Sequence, residues 1–169
     1  MTPFALKHRV PCCGYQLHLP RAGRFDAARA KAADIQLEYW RVLQAGQSFG
    51  GLTTDDVLGP PRRGLTVGYA TDARPCPALV HAALGADLLC MDSTYADDAD
   101  LPKAKLYGHS TCREVGALAD EAMVRRLWLT HYSAAVTDPA PGLTAAQAHY
   151  PEAAAGVDGM QLELEFDDM

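Results

Sequence analysis

The run LTVGYATDARPCPALVHAALGADLLCMDSTY, from Leu65 to Tyr95, decides the fold. It opens on a short apolar stretch, LTVGYATD, that ends at Asp72. PCPALVHAALG follows, with Ala78, Leu79, Ala82 and Ala83 at helical spacing. ADLLCMDSTY is a second apolar stretch, ending at Asp92. Neither stretch alternates apolar with polar residues, which is the pattern of strands buried on both faces. Strand, helix and strand in that order read as a parallel βαβ unit.

The same pattern continues downstream. STCREVGALADEAM predicts a helix with Val115, Leu118, Ala119, Ala122 and Met123 on one side. Thr111 and Glu114 have the T-x-x-E spacing of a capping box at its start. RRLWLTHYS is a third apolar stretch, ending at His131. The tail GMQLELEF alternates Met160, Leu162, Leu164 and Phe166 with polar residues and reads as a half-exposed strand. Upstream, FALKHRV alternates Phe4, Leu6, His8 and Val10, a strand from the first residues. GYQLHL alternates again, with Tyr15, Leu17 and Leu19 on one face. Between them and Leu65 lies RAGRFDAARAKAADIQLEYWRVLQAGQSFGG, helix-prone and thin in apolar residues. It reads as an excursion from the body, returned by the turn-rich DDVLGPPRRG. The fold class is therefore α/β, with a parallel sheet covered on both faces.

Length and composition narrow the class further. A chain of 169 residues is one domain or most of one, and its 49% apolar content is enough for a sizeable core. No apolar run approaches the roughly 18 residues of a membrane span, and no basic segment followed by an apolar one marks a secretory signal. Cys12, Cys13, Cys76, Cys90 and Cys112 form no CxxC pair and are odd in number. A reducing, cytoplasmic compartment is the expectation. A net charge of −6 argues against a generic nucleic-acid binder, although Arg21, Arg24, Arg29, Lys31 and Arg41 form a local basic segment.

Each central apolar stretch ends in an ionisable residue: Asp72, Asp92 and His131. Open α/β sheets bind their ligands beyond the carboxyl ends of the strands, so these three should share one rim. His109 stands just before a helix N-terminus, which favours anions such as phosphate. His and Asp are good zinc ligands, and a carboxylate can bridge two metals. From the residues alone two readings stand side by side. The aspartates serve equally as turn formers and helix caps, His131 as a hydrogen-bonded core histidine, and His109 as a turn residue. His18, His81 and His149 have no convergent setting and read as surface or structural.

Taken together, LKHRVPCCGYQL, GRFDAARAKAADI, DVLGPPRRG, ATDARPC, GHST and LTHYS occur in an order that carries a resemblance. The chain resembles the C-terminal part of ribonuclease Z, the tRNA 3′-processing endonuclease of the metallo-β-lactamase fold. The resemblance implies an αββα sandwich, mainly its C-terminal half, with an inserted helical arm between about residues 20 and 60. It implies zinc, with His8, Asp72 and His131 as metal ligands and Asp72 bridging two ions. It makes His109 the proton donor or transition-state stabiliser, oriented by Asp92. It implies a tRNA precursor as substrate.

The departures are specific. The family's H-x-H-x-D-H cluster is absent from these residues and is expected N-terminal to His8. The H-E-A-T loop reads MDST, so the histidine is gone and its glutamate is shortened to Asp92. IQLEYW stands where the arm carries a Gly-Pro signature, and SAAV follows the last histidine without an arginine. The expectation is weak zinc binding and little or no activity alone. A homodimer, or a partner supplying the first half, is expected to cover the exposed face. Two other functions compete: a non-catalytic relative that binds tRNA or a partner, and a zinc hydrolase acting on another ester.

Overall fold

The computed structural model describes residues 1–167. The chain divides into two compact units. The first holds Met1–His18 and Leu65–Glu165; the second holds Leu19–Gly64 and, of the described residues beyond Glu165, Phe166 and Asp167.

Strand β1 (Thr2–Leu6) pairs antiparallel with β2 (Cys12–Arg21), Phe4 opposite Gly14. The alternation in FALKHRV continues past β1, but the ladder ends at Leu6, and His8 lies in the turn before β2. The second unit contains helices α1 (Ala27–Ala32) and α2 (Leu37–Gln44). The Asp26 side chain caps α1 by accepting from Ala28 N at 2.9 Å and Arg29 N at 3.0 Å. Its few apolar residues make a core of their own. Ala30, Ile35, Leu43 and Val57 are buried, with Phe25, Tyr39, Trp40 and Leu52 packed against them. Thin apolar content thus suffices because the helices are short and meet around one point.

The first unit resumes with β3 (Arg62–Ala70), α3 (Pro77–Ala83) and β4 (Leu88–Asp92). Helix α4 (Leu101–Tyr107) ends at Gly108, whose φ of 85° is the left-handed conformation that closes helices. Helix α5 (Cys112–Glu121) starts with the expected capping box, Thr111 and Glu114 bonding each other's backbone N–H. Strand β5 (Leu127–Thr130), helix α6 (Ala140–Gln147) and strand β6 (Ala153–Ala155) complete the unit. The tail does not form the expected strand. Residues 160–167 keep an alternation of exposed and half-buried positions but pair with no ladder among the described residues.

The six strands lie in the order β1-β2-β3-β4-β5-β6, and β3 to β6 run parallel. Parallel crossovers are right-handed. Strands added always on the same side therefore send every crossover helix to the same face. Leu79 and Ala83 of α3, Val115 and Leu118 of α5, and Ala146 of α6 join Leu89, Met91, Leu127 and Leu129 in one core. A Cβ on Gly116 would stand 2.4 Å from Ala146 O, so only glycine lets α5 and α6 approach this closely.

This corrects the expectation of cover on both faces. The opposite face of the first unit's sheet carries the alternate residues of each strand. Leu17 and Tyr69 on it are each 46% exposed, and Leu65, Val67, Cys90 and Trp128 are half-buried. Among the described residues no helix is long and apolar enough to cross a membrane.

Thiol reactivity should follow this layering. Burial pushes both the Cys90 and the Cys112 thiol up to about 11, whereas Cys13 is exposed. At pH 8 an aromatic disulfide reagent is expected to label Cys13 first and Cys112 only on unfolding, read by peptide mass mapping. Because both folded values lie above the ordinary 9.0, their stabilisation is intact below pH 9 and declines as pH rises towards 11. Rapid labelling of Cys112 in the folded chain would contradict the arrangement of α5.

Candidate metal centre

Parallel strands end on one edge, and this edge collects the polar residues. Asp92 is the last residue of β4, opposite Thr130, the last of β5. His131 follows directly, and Asp72 lies two residues beyond β3. His109 precedes the N-cap of α5, and His8 enters from the turn between β1 and β2. All five belong to the first unit. His18, His81 and His149 are exposed and lie outside the cluster.

Asp92 is the hub. It is fully buried, and every contact it makes is with a donor. Oδ2 accepts from Ala73 N at 3.0 Å and from His109 Nδ1 at 2.7 Å. Oδ1 accepts from Thr94 N at 2.9 Å and lies 2.8 Å from Thr94 Oγ1. A carboxylate only accepts, so His109 carries its proton on Nδ1 and presents Nε2. His131 lies against the same carboxylate, with its Nδ1 3.6 Å from Asp92 Oδ2. Its Nδ1 is 3.1 Å from Thr94 Oγ1. The hydroxyl has one proton, within reach of Asp92 Oδ1 at 2.8 Å and of His131 O at 3.0 Å; given to either, it leaves the oxygen to accept from His131 Nδ1–H. Nε2 of His131 then carries a lone pair, 3.6 Å from Asp72 Oδ1.

These donors fit a metal ion. One ligand atom from each of His8, Asp72 and His109 lies within 4.8 Å of the others, and the same holds for Asp92, His109 and His131. The expected ligand set His8, Asp72 and His131 is not itself one of these groups among the described residues, although His131 Nε2 is 3.6 Å from Asp72 Oδ1. His8 Nε2 is buried with no hydrogen-bond partner among the described residues. Leaving such a nitrogen unsatisfied costs about 1–3 kcal/mol, so it calls for a ligand from outside the protein. Asp72 and His131 both adopt left-handed backbone, with φ of 52° and 60°. Such conformations cost about 1–3 kcal/mol each in non-glycine residues and gather at functional sites. Cys12 reaches Thr71 O at 3.7 Å but is not among the clustered donors. Its thiol is pushed up by burial and then by the charge of Asp72.

A second layer holds the cluster in place. Arg74 donates through Nη1 to His109 O at 2.7 Å and forms a two-pronged pair with the Glu114 carboxylate. Arg74 N donates to Lys7 O, which ties the His8 turn to the same point. Glu114 also caps α5, so one carboxylate joins the helix start to both histidine segments. Gly108 closes the gap: a Cβ there would stand 2.8 Å from His8 Cδ2 and 2.9 Å from Arg9 N. The roles of Arg74 and Thr94 were not read from the sequence. The signals available were an arginine two residues past Asp72 and a hydroxyl two residues past Asp92.

The chain is similar to known proteins over nearly its whole length. A ribonuclease Z from Lachnospira eligens is 38% identical over 169 residues, covering 98% of this chain and 56% of that protein. A ribonuclease Z from Agathobacter rectalis matches at 38% with the same coverage. The chain matches the C-terminal part of ribonuclease Z. It spans about half the length of these ribonuclease Z relatives. No family model matches. Among solved structures, the metallo-beta-lactamase fold protein YhfI from Bacillus subtilis aligns at TM-score 0.55 and 18% identity, covering 90% of this chain and 44% of that one. Human tRNase Z, short form (ELAC1), aligns at TM-score 0.53 and 20% identity, covering 97% of this chain and 42% of that one. The fold is thus part of the metallo-β-lactamase fold.

Two substitutions separate the hub from its clamp. Asp92→Asn puts an amide N–H₂ where only acceptors fit. It is expected to cost about 3–5 kcal/mol in urea unfolding. Arg74→Ala is expected to cost about 2–3 kcal/mol through lost charge-assisted bonds. A loss below 1 kcal/mol for Asp92→Asn would show that the carboxylate is not the buried anchor described.

Proposed function

We propose that the chain is the C-terminal half of a zinc-dependent phosphodiesterase of the ribonuclease Z kind, acting on the 3′ end of a tRNA precursor. The observation that carries this reading is the buried, unpartnered His8 Nε2 beside Asp72, in a chain similar to ribonuclease Z. His8, Asp72 and His131 are the residues that would hold zinc. Bound there, zinc supplies Lewis-acid polarisation of a phosphate and a hydroxide at neutral pH. His109 does its work at Nε2. In its protonated form it gives a proton to the leaving oxygen, while Asp92 holds Nδ1 and keeps the ring from turning away. Thr94 keeps His131 Nε2 turned towards Asp72.

Three ligands divided between two ions hold neither ion fully. Alone, the chain is expected to bind zinc weakly and to cleave little or nothing. The missing H-x-H-x-D-H ligands would come from a segment that also covers Leu17, Val67, Tyr69 and Trp128. In its absence a second copy covers that face, giving a homodimer. The second unit, with its basic segment from Arg21 to Arg41, is the part suited to gripping tRNA phosphates. Its place of work would be the cytoplasm.

Two measurements test this reading. Native mass spectrometry of the chain with zinc is expected to show partial occupancy; two tightly held, stoichiometric ions would contradict it. A precursor tRNA labelled in its 3′ trailer should be cut only after co-expression with a polypeptide bearing the H-x-H-x-D-H segment. Full cleavage by the chain alone, or none by a zinc-loaded assembled pair, would overturn it.

A further inference from the structure

Beside the histidine cluster, the first unit has a cavity of about 560 Å³ between the segment after β4 and the segment after β5. That volume is in the range of small-molecule sites, about 300–1,000 Å³. It adjoins the histidine cluster through Thr94, which contacts Asp92 and His131 and is also one of the cavity's walls. Tyr95 is the next wall, its ring centroid 6.5 Å from that of His109. Ser133 N donates to Thr94 O at 3.0 Å, which ties the two sides together.

The chemistry of the walls is selective. Tyr95, Val136 and Pro141 offer aromatic and apolar surface to a flat guest. Around them stand three carboxylates, Asp97, Asp100 and Asp138, against one ammonium, Lys103. Lys103 is already engaged, 2.6 Å from Asp100 Oδ1. Asp97 and Asp138 each use Oδ1 to accept a nearby backbone N–H, from Ala99 and Ala140. Both residues are exposed, so their Oδ2 atoms are open to solvent and to a guest as acceptors. Such a cavity repels phosphate and suits a planar group that brings N–H donors.

We infer that this cavity receives a nucleobase with an exocyclic amino group, from the nucleotide next to the phosphate held at the histidine cluster. The inference rests on the phosphodiesterase reading and adds to it a preference for cytosine, adenine or guanine over uracil. The base stacks on Tyr95, a contact generally worth about 1–3 kcal/mol. Its amino group donates to Asp97 or Asp138.

The test uses nucleosides, which carry no phosphate, so it does not depend on metal. The isotopically labelled chain is titrated with cytidine, adenosine and uridine, with and without zinc, and followed by amide NMR. Cytidine and adenosine should perturb Thr94, Tyr95 and Ser133, with uridine at least fivefold weaker. Tyr95→Ala, with its fold confirmed by circular dichroism, should lose this binding about tenfold. Asp97→Asn with Asp138→Asn should abolish the preference over uridine. No perturbation at the cavity by any nucleoside, or equal binding of cytidine and uridine, overturns the inference. Nucleoside binding without zinc binding would leave it standing and count against the metal reading; zinc binding without nucleoside binding would do the reverse.

Discussion

The buried carboxylate of Asp92 is the interaction on which the rest depends. Removing a carboxylate from water is costly unless donors replace the lost hydration. Here the donors come from Ala73, Thr94 and His109, and therefore from three different segments. Satisfying one buried charge ties the end of β3, the segment after β4 and the start of α5 to one point. The same contacts choose a tautomer for His109 and, through Thr94, for His131. Structure and chemical readiness at this rim thus have a common cause.

The sheet explains why the rim exists and why one face remains open. Strands β3 to β6 are added in sequence order and run parallel. Their carboxyl ends therefore fall on one edge, where Asp72, Asp92 and His131 meet. Their crossover helices fall on one face, which leaves Leu17, Val67, Tyr69 and Trp128 on the other. A domain that buries only one face of its sheet has given up part of its hydrophobic stabilisation. That fits a chain spanning about half the length of the ribonuclease Z proteins it resembles.

Much of this was legible in the sequence, for physical reasons. The unalternating stretches before Asp72, Asp92 and His131 mark buried parallel strands, and a strand's last residue has a defined place on the rim. Thr111 and Glu114 announced the start of α5 because a capping box is local chemistry. His8 was tied to the cluster only by family resemblance, since a turn between two strands carries no periodic signal. The pairing of Arg74 with Glu114 was hidden because its residues lie far apart in the chain. The tail from Met160 to Phe166 was misread for a related reason: alternation records a half-exposed extended segment, and whether it pairs depends on a neighbouring strand. The one-sided placement of the helices needed strand order, which composition and periodicity do not contain.

The central claim, that Asp92 sets the state of both histidines, is tested most directly by long-range nitrogen–proton NMR of the histidine rings at neutral pH without metal. Neutral His109 and His131 should both carry the proton on Nδ1, and Asp92→Ala should release both rings to mixed tautomers. Protons on Nε2 of both rings in the unaltered chain would contradict the account.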